Sequence, residues 1–232
     1  MTGKIYSYVL RFDDGAAPNP FWDVCTLAIC KPAIRRTAEV GDWVIGTGSK
    51  NARCNDGIKH DLSQHLVYAM RIADKMTLSE YNEYCSEELR NKIPQPGSPD
   101  WRLRMGDCIY HNEGFEKLSL RPDSIHKIEH SDRDLGGINV LLSHEFYYFG
   151  EKAVIIPKHL KQLIKRNQGH LKITNEYLIE QFEEWIKQFP KNTICGEPQL
   201  KHAFDTANCQ IASYCNAEYN HEDSNEEEIS IC

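Results

Sequence analysis

Residues 5–12 alternate strictly, with Tyr6, Tyr8, Leu10 and Phe12 on one face and Ile5, Ser7, Val9 and Arg11 on the other. A period of two marks a β-strand. The pattern returns where Leu66, Tyr68, Met70 and Ile72 alternate with Val67, Ala69, Arg71 and Ala73, and an apolar run from Trp43 to Gly48 lies between. Strands thus dominate the first 150 residues, and this limits the fold more than any other feature. The loop 13–20 is fixed by Gly15, Pro18, Asn19 and Pro20, each of which interrupts regular structure. Residues 24–30 read as a short helix, and Pro32 opens a second helical piece over 32–38. The polar segment 49–64 reads as a long loop, of the kind that is functional or mobile in compact domains. No strand–helix–strand unit repeats, and no glycine-rich phosphate fingerprint follows a strand. A doubly wound nucleotide-binding fold is therefore not expected.

Further along, Thr77 and Glu80 form a capping box that opens a helix to about Leu89. A strand begins at 108–110, and another over 138–150 runs into an aromatic turn. Pro157 starts a helix over 157–167 striped by Leu160, Leu163 and Ile164. A second amphipathic helix carries Leu178, Phe182, Trp185, Ile186 and Phe189. The expected architecture is α+β, a small mixed β-barrel with flanking helices. It would span 1–170, with a C-terminal helical extension over 171–217 and an acidic tail without regular structure over 218–232.

The 232 residues carry a net charge of −7. Six acidic side chains and no Lys or Arg lie in the stretch 218–232, so the remaining chain is near neutral and leaves room for local basic patches. No apolar run approaches a membrane span. The N-terminus lacks the apolar core of a signal peptide, so a cytoplasmic protein is expected. Nine cysteines at irregular spacing are expected as reduced thiols. Cys25, Cys30, Cys54, His60 and His65 superficially resemble a zinc set but lack a Cys-x-x-Cys knuckle; no metal and no cofactor is expected.

Lys31 and Arg35 stand four apart and share a helix face, while Arg36 points about 100° away. Together they could clamp a phosphate or a base edge; the plainer reading is a solvated face paired with Glu39 or Asp42. Trp22, Tyr147 and Tyr148 could stack on a base, although large aromatics more often fill a core. Gly46, Gly48 and Ser49 would admit a ligand to bare backbone or would close a bulge. Asp13 and Asp14 either contact a base amino group or cap turn amides. Ser143, His144 and Glu145 diverge as strand neighbours, which argues against a triad and leaves Ser143 as a buried hydroxyl bonded to backbone. Lys158, Lys161, Lys165 and Arg166 could track a nucleic-acid backbone or could simply solubilise a helix face. The acidic tail could cover that patch.

"DDGAAP" after the first strand, "LAICKPAIRRTAEVGDWVIGTG" and "NVLLSHEFYYFG" occur in that order over 13–150. They resemble the type-2 nucleotide modification associated domain, a bacterial and phage family found with DNA base-modification systems. More distantly, the basic stretch before "VGDWVI" resembles ASCH members of the PUA-like superfamily, some of which hydrolyse modified cytidines. The resemblance implies binding of a modified nucleobase, nucleotide or nucleic acid in a cleft, with DNA favoured over RNA. It also implies a place beside a DNA-modification or phage-defence system and its proteins. The first alternative is a hydrolase acting on modified nucleotides, with Lys31, Asp13 and Glu39 as first candidates for acid–base roles. The second is a protein-interaction module.

Overall fold

The computed structural model describes residues 3–114, 117–122, 124–166, 169–201 and 228–231. In chain order its strands are β1 (Ile5–Leu10), β2 (Cys25–Leu27), β3 (Trp43–Gly48), β4 (Ala52–Arg53), β5 (Lys59–His60), β6 (His65–Arg71), β7 (Asp74–Thr77) and β8 (Tyr110–Asn112). They continue as β9 (Leu118–Leu120), β10 (Asn139–Ser143), β11 (Glu145–Tyr148), β12 (Val154–Ile155), β13 (His170–Ile173), β14 (Thr193–Ile194) and β15 (Glu228–Ile231). The helices are α1 (Pro32–Thr37), α2 (Leu78–Glu87), α3 (Trp101–Arg104), α4 (Ser131–Gly136) and α5 (Glu176–Ile186).

An eight-stranded mixed sheet runs β14-β11-β6-β3-β1-β13-β15, with β12 on β6. Its two ends do not pair, so the sheet is open and the expected barrel closure is corrected. At its centre β1 and β3 are parallel, Ile5 opposite Trp43 and Leu10 opposite Gly48. Alternation along these strands feeds two cores, because both sheet faces are covered. Ile5, Trp43, Ile45 and Tyr147 face Phe182, Trp185 and Ile186 of α5. Tyr6, Tyr8, Val44, Tyr68 and Tyr148 face Ile34 of α1 and Leu141 of β10. A third core lies under α2, between Tyr81 and Cys85 and the second sheet, β2-β10-β7.

Several local expectations change. Residues 25–27 form a strand paired to β10 rather than part of a helix. The strand expected over 138–150 breaks at His144 into β10 and β11, which belong to different sheets. Ser143 secures that corner: its hydroxyl donates to the Glu145 carbonyl at 2.8 Å and accepts the Glu145 N–H at 3.1 Å. The helix expected over 157–167 is a 3-10 helix, Lys158–Leu163. Leu160 and Leu163 are both fully buried, and their spacing of three matches the repeat of a 3-10 helix. The boundary expected at 170 falls on the first residue of β13, a strand paired with β1. Most of the acidic tail lies outside the described residues, but Glu228–Ile231 is a strand beside β13 rather than unstructured chain.

Candidate functional site

After β2 the chain must turn into α1. It does so through Cys30 and Lys31, two successive left-handed residues at φ 59° and 43°. Such residues cost roughly 1–2 kcal/mol each, and the turn persists because its neighbours hold it. Arg35 provides the hold. Fully buried, its guanidinium donates to the carbonyls of Cys30 at 2.8 Å, Ala28 at 2.7 Å and Asn139 at 3.0 Å, and to that of Asp134. Gly137 leaves the space for it, since a Cβ there would sit 2.1 Å from a guanidinium nitrogen. One side chain thus fastens the turn to β10 and α4.

The turn presents Cys30 Sγ to His126, 3.8 Å from Nε2. Nδ1 of the same imidazole is bonded to Asp134 Oδ2. Asp134 also accepts the Cys30 N–H at 3.2 Å and the Tyr110 hydroxyl at 3.2 Å. Thiol, imidazole and carboxylate stand in a row, with exposures of 7%, 5% and 0%. A carboxylate on Nδ1 fixes the proton there and leaves Nε2 to face the sulfur. Burial lowers the His126 pKa, but its hydrogen bonds to Asp134 and Cys30 outweigh this and raise it to about 10. Burial raises Asp134, yet His126 and Arg35 pull it below the ordinary carboxylate value. At neutral pH the pair is imidazolium and carboxylate.

The loop after β1 approaches this relay. Asp14 caps its turn by accepting the Ala16 N–H at 2.9 Å, the plainer of its two expected roles. It lies within electrostatic reach of His126. Asp13 accepts from the Tyr148 hydroxyl and from the Gln199 N–H at 3.3 Å. Burial pushes its pKa up to about 7 against those two donors.

A second feature opens at the carboxyl ends of the parallel strands β1 and β3. Arg11 and Phe12 follow β1, Ser49 and Asn51 follow β3, and Arg53 and Lys59 come from the β4–β5 hairpin. These six line a cavity of about 290 Å³. Crevices outside the carboxyl ends of parallel strands are favoured ligand positions. Three cations from two segments converge on one concavity, an arrangement that favours an anion.

The other sequence candidates scatter. Arg35 is a buried brace, so the expected clamp of Lys31, Arg35 and Arg36 is corrected. Arg36 is exposed and donates to the Gly136 carbonyl at 2.6 Å. Lys31 Nζ lies 4.9 Å over the Tyr8 ring. Gly46 admits the Tyr68 ring and Gly48 admits the Leu62 backbone, so both serve close protein packing. Tyr147 and Tyr148, 2% and 0% exposed, sit in cores on opposite sheet faces and offer no stacking surface. Arg102 covers the Trp22 ring at 5.0 Å. Glu39 is an exposed partner of Lys75 at 2.9 Å. Lys158, Lys161 and Arg166 are exposed, but Lys165 is 4% exposed and leaves the basic face. Only Ser49 joins the cavity. Among the described residues no group of three or more His, Cys, Asp or Glu side chains could hold a metal, and no helix is long and apolar enough to cross a membrane.

Sequence reasoning does not single out His126 or Asp134, because their partner Cys30 lies 96 and 104 residues away. The one local hint is "DLGG" at 134–137, where two glycines leave room for a large side chain. No curated protein and no solved structure matches the chain. A family model described as nucleotide modification associated domain 2 matches residues 2–206, a span that holds the relay and the cavity entire. The chain belongs to the nucleotide modification associated domain 2 family.

Proposed function

We propose that this protein binds a nucleotide, free or at the end of a nucleic-acid strand, with its phosphate in the cavity of Arg11, Arg53 and Lys59. The observation that carries the reading is the convergence of those cations on about 290 Å³ at the ends of β1 and β3. That volume is near the lower end of small-molecule sites and suits one nucleotide rather than a duplex. Guanidinium forks match phosphate oxygens, Ser49 and Asn51 add neutral polar groups, and Phe12 gives the cavity an apolar edge. Family membership supports a role linked to nucleotide modification. Within this reading the ligand carries a modified base, DNA is favoured over RNA, and the protein works in the cytoplasm with partners from a DNA-modification or phage-defence system. A distant PUA-like kinship belongs to the same proposal and rests on the basic helix entering the Trp43 strand.

Calorimetric titration with natural and modified mononucleotides and short single strands tests it. Arg53→Glu with Lys59→Glu is expected to weaken binding at least about 100-fold and to flatten its salt dependence. Equal affinity in the double variant, or no binding by the wild type, overturns the reading.

A further inference from the structure

The Cys30 relay stands apart from the cavity and plays no part in phosphate binding. Three observations bear on what it does. Its thiol sits on a left-handed residue, a strained placement of the kind stored at functional sites. Its sulfur faces an imidazole nitrogen at 3.8 Å whose other nitrogen is held by a carboxylate. The charged group that fastens the turn, Arg35, spends its donors on the backbone on both sides of that contact, at Cys30 and at Asp134.

We infer that Cys30 is the nucleophile of an acyl-transfer centre, with His126 as its proton donor and acceptor and Asp134 as the residue that positions His126. This is the thiol–imidazole–carboxylate logic that recurs on unrelated folds. The substrate class is a small acyl donor, an ester, thioester or amide, because a sulfur only 7% exposed admits little else. The thiolate adds to the acyl carbon, the bond from that carbon to the leaving N, O or S breaks, and the Nε2 proton passes to the leaving atom. Cys30 then carries the acyl group as a thioester. Water gives a proton to neutral Nε2 while its oxygen adds to the thioester carbon. The carbon–sulfur bond breaks, the free acid departs, and the thiolate and imidazolium are restored.

The test is acylation of the full-length protein by p-nitrophenyl acetate, followed by quenching and peptide mass mapping. Cys54 and Cys195, both more exposed and free, serve as internal controls in the same chain. In the native protein Cys30 is expected to take the acetyl group at least about tenfold faster than Cys54, because its sulfur faces an imidazole placed to carry the proton. Asp134→Asn should slow acylation of Cys30 at least about tenfold while leaving the Cys54 rate unchanged, and His126→Gln should abolish turnover of any acetyl thioester. Acetyl found first on Cys54 or Cys195, or on Cys30 only after denaturation, overturns the assignment. That within-chain comparison needs no variant to fold. It also contains no nucleotide, so its failure leaves the phosphate-binding reading untouched, and the reverse holds too.

Discussion

The turn around Cys30 and the hairpin around Arg53 are both irregular, both carry basic residues and both follow a strand, yet they are built in opposite ways. The first is sealed. Arg35 is 0% exposed and reaches four carbonyls, Asp134 is buried, and Gly137 is kept small so that the brace fits. The second is open. Its two strands are two residues each, Lys59 and His60 are exposed, and its turn is held by local bonds such as His60 to Asp56 at 2.7 Å. Fixed geometry suits a reaction that needs a nucleophile, a proton carrier and an electrophile in line. Cations on an open rim suit capture of an anion, where charge matters more than angle. The two regions are thus built for different tasks, and the loop 11–14 runs between them. Arg11 lines the cavity, and three residues on Asp14 faces His126 electrostatically.

The strongest way to break the contrast is Arg35→Ala. Four carbonyls lose the guanidinium, although that of Asp134 keeps the Gly137 N–H, and Asp134 loses a nearby cation, a change worth about 3–5 kcal/mol. For a chain of this length the melting temperature should fall by on the order of 10 °C, as read by calorimetry or by the urea midpoint. A loss below about 1 kcal/mol would show that the turn is held by something other than this brace.

This pair of regions also shows what a sequence can and cannot disclose. The strand Trp43–Gly48, the Pro32 helix start and the Thr77 capping box were all legible because each is a local matter of period, ring geometry or side chain to backbone reach. The 49–64 segment reads from its polarity as a long loop, but neither the β4–β5 hairpin inside it nor the meeting of its cations with Arg11 can be read from local sequence. Arg35 misleads because its spacing from Lys31 describes a helix face without saying whether that face meets water or protein. In the event Lys31 lies outside the helix, in the left-handed turn, so the i,i+4 argument had no helix to act on. The relay was illegible for a stronger reason: Cys30, His126 and Asp134 meet only because β2 pairs with β10 and α1 packs on α4. Barrel closure failed as an expectation because strand count and alternation do not tell whether the last strand returns to the first.

A subtler effect separates the regions by pH. The folded pKa of His126 is raised from 6.5 to about 10, so its contribution is fully present below about pH 6.5 and is lost as pH rises toward 10. Asp13, raised from 3.8 to about 7, has the same sign in a lower window. The fold favours its neutral form, and stability falls as pH rises from about 4 to 7. Burial also raises Cys25, but from 9.0 to about 12, so it enters only above the His126 range of interest. Urea midpoints for wild type should therefore decline between about pH 7 and 8.5, and His126→Gln should remove that slope while keeping the decline at lower pH. A wild-type curve flat across the upper window would mean that the imidazolium is not held by Asp134.

The smallest effect on stability is expected where the effect on binding is largest. Arg53 and Lys59 lie on a two-residue pair of strands, half-buried and exposed respectively, and converge with Arg11 on one cavity. Substitutions on an open hairpin away from a core change stability little, so removing these two cations should leave the stability read from the urea midpoint within about 0.5 kcal/mol of wild type. A buried brace loses stability when it is altered, whereas cations at a cavity rim matter chiefly to what binds there. If Arg53→Glu with Lys59→Glu instead destabilises the chain as much as Arg35→Ala does, the hairpin is a structural element like the turn, and the division between the two regions disappears.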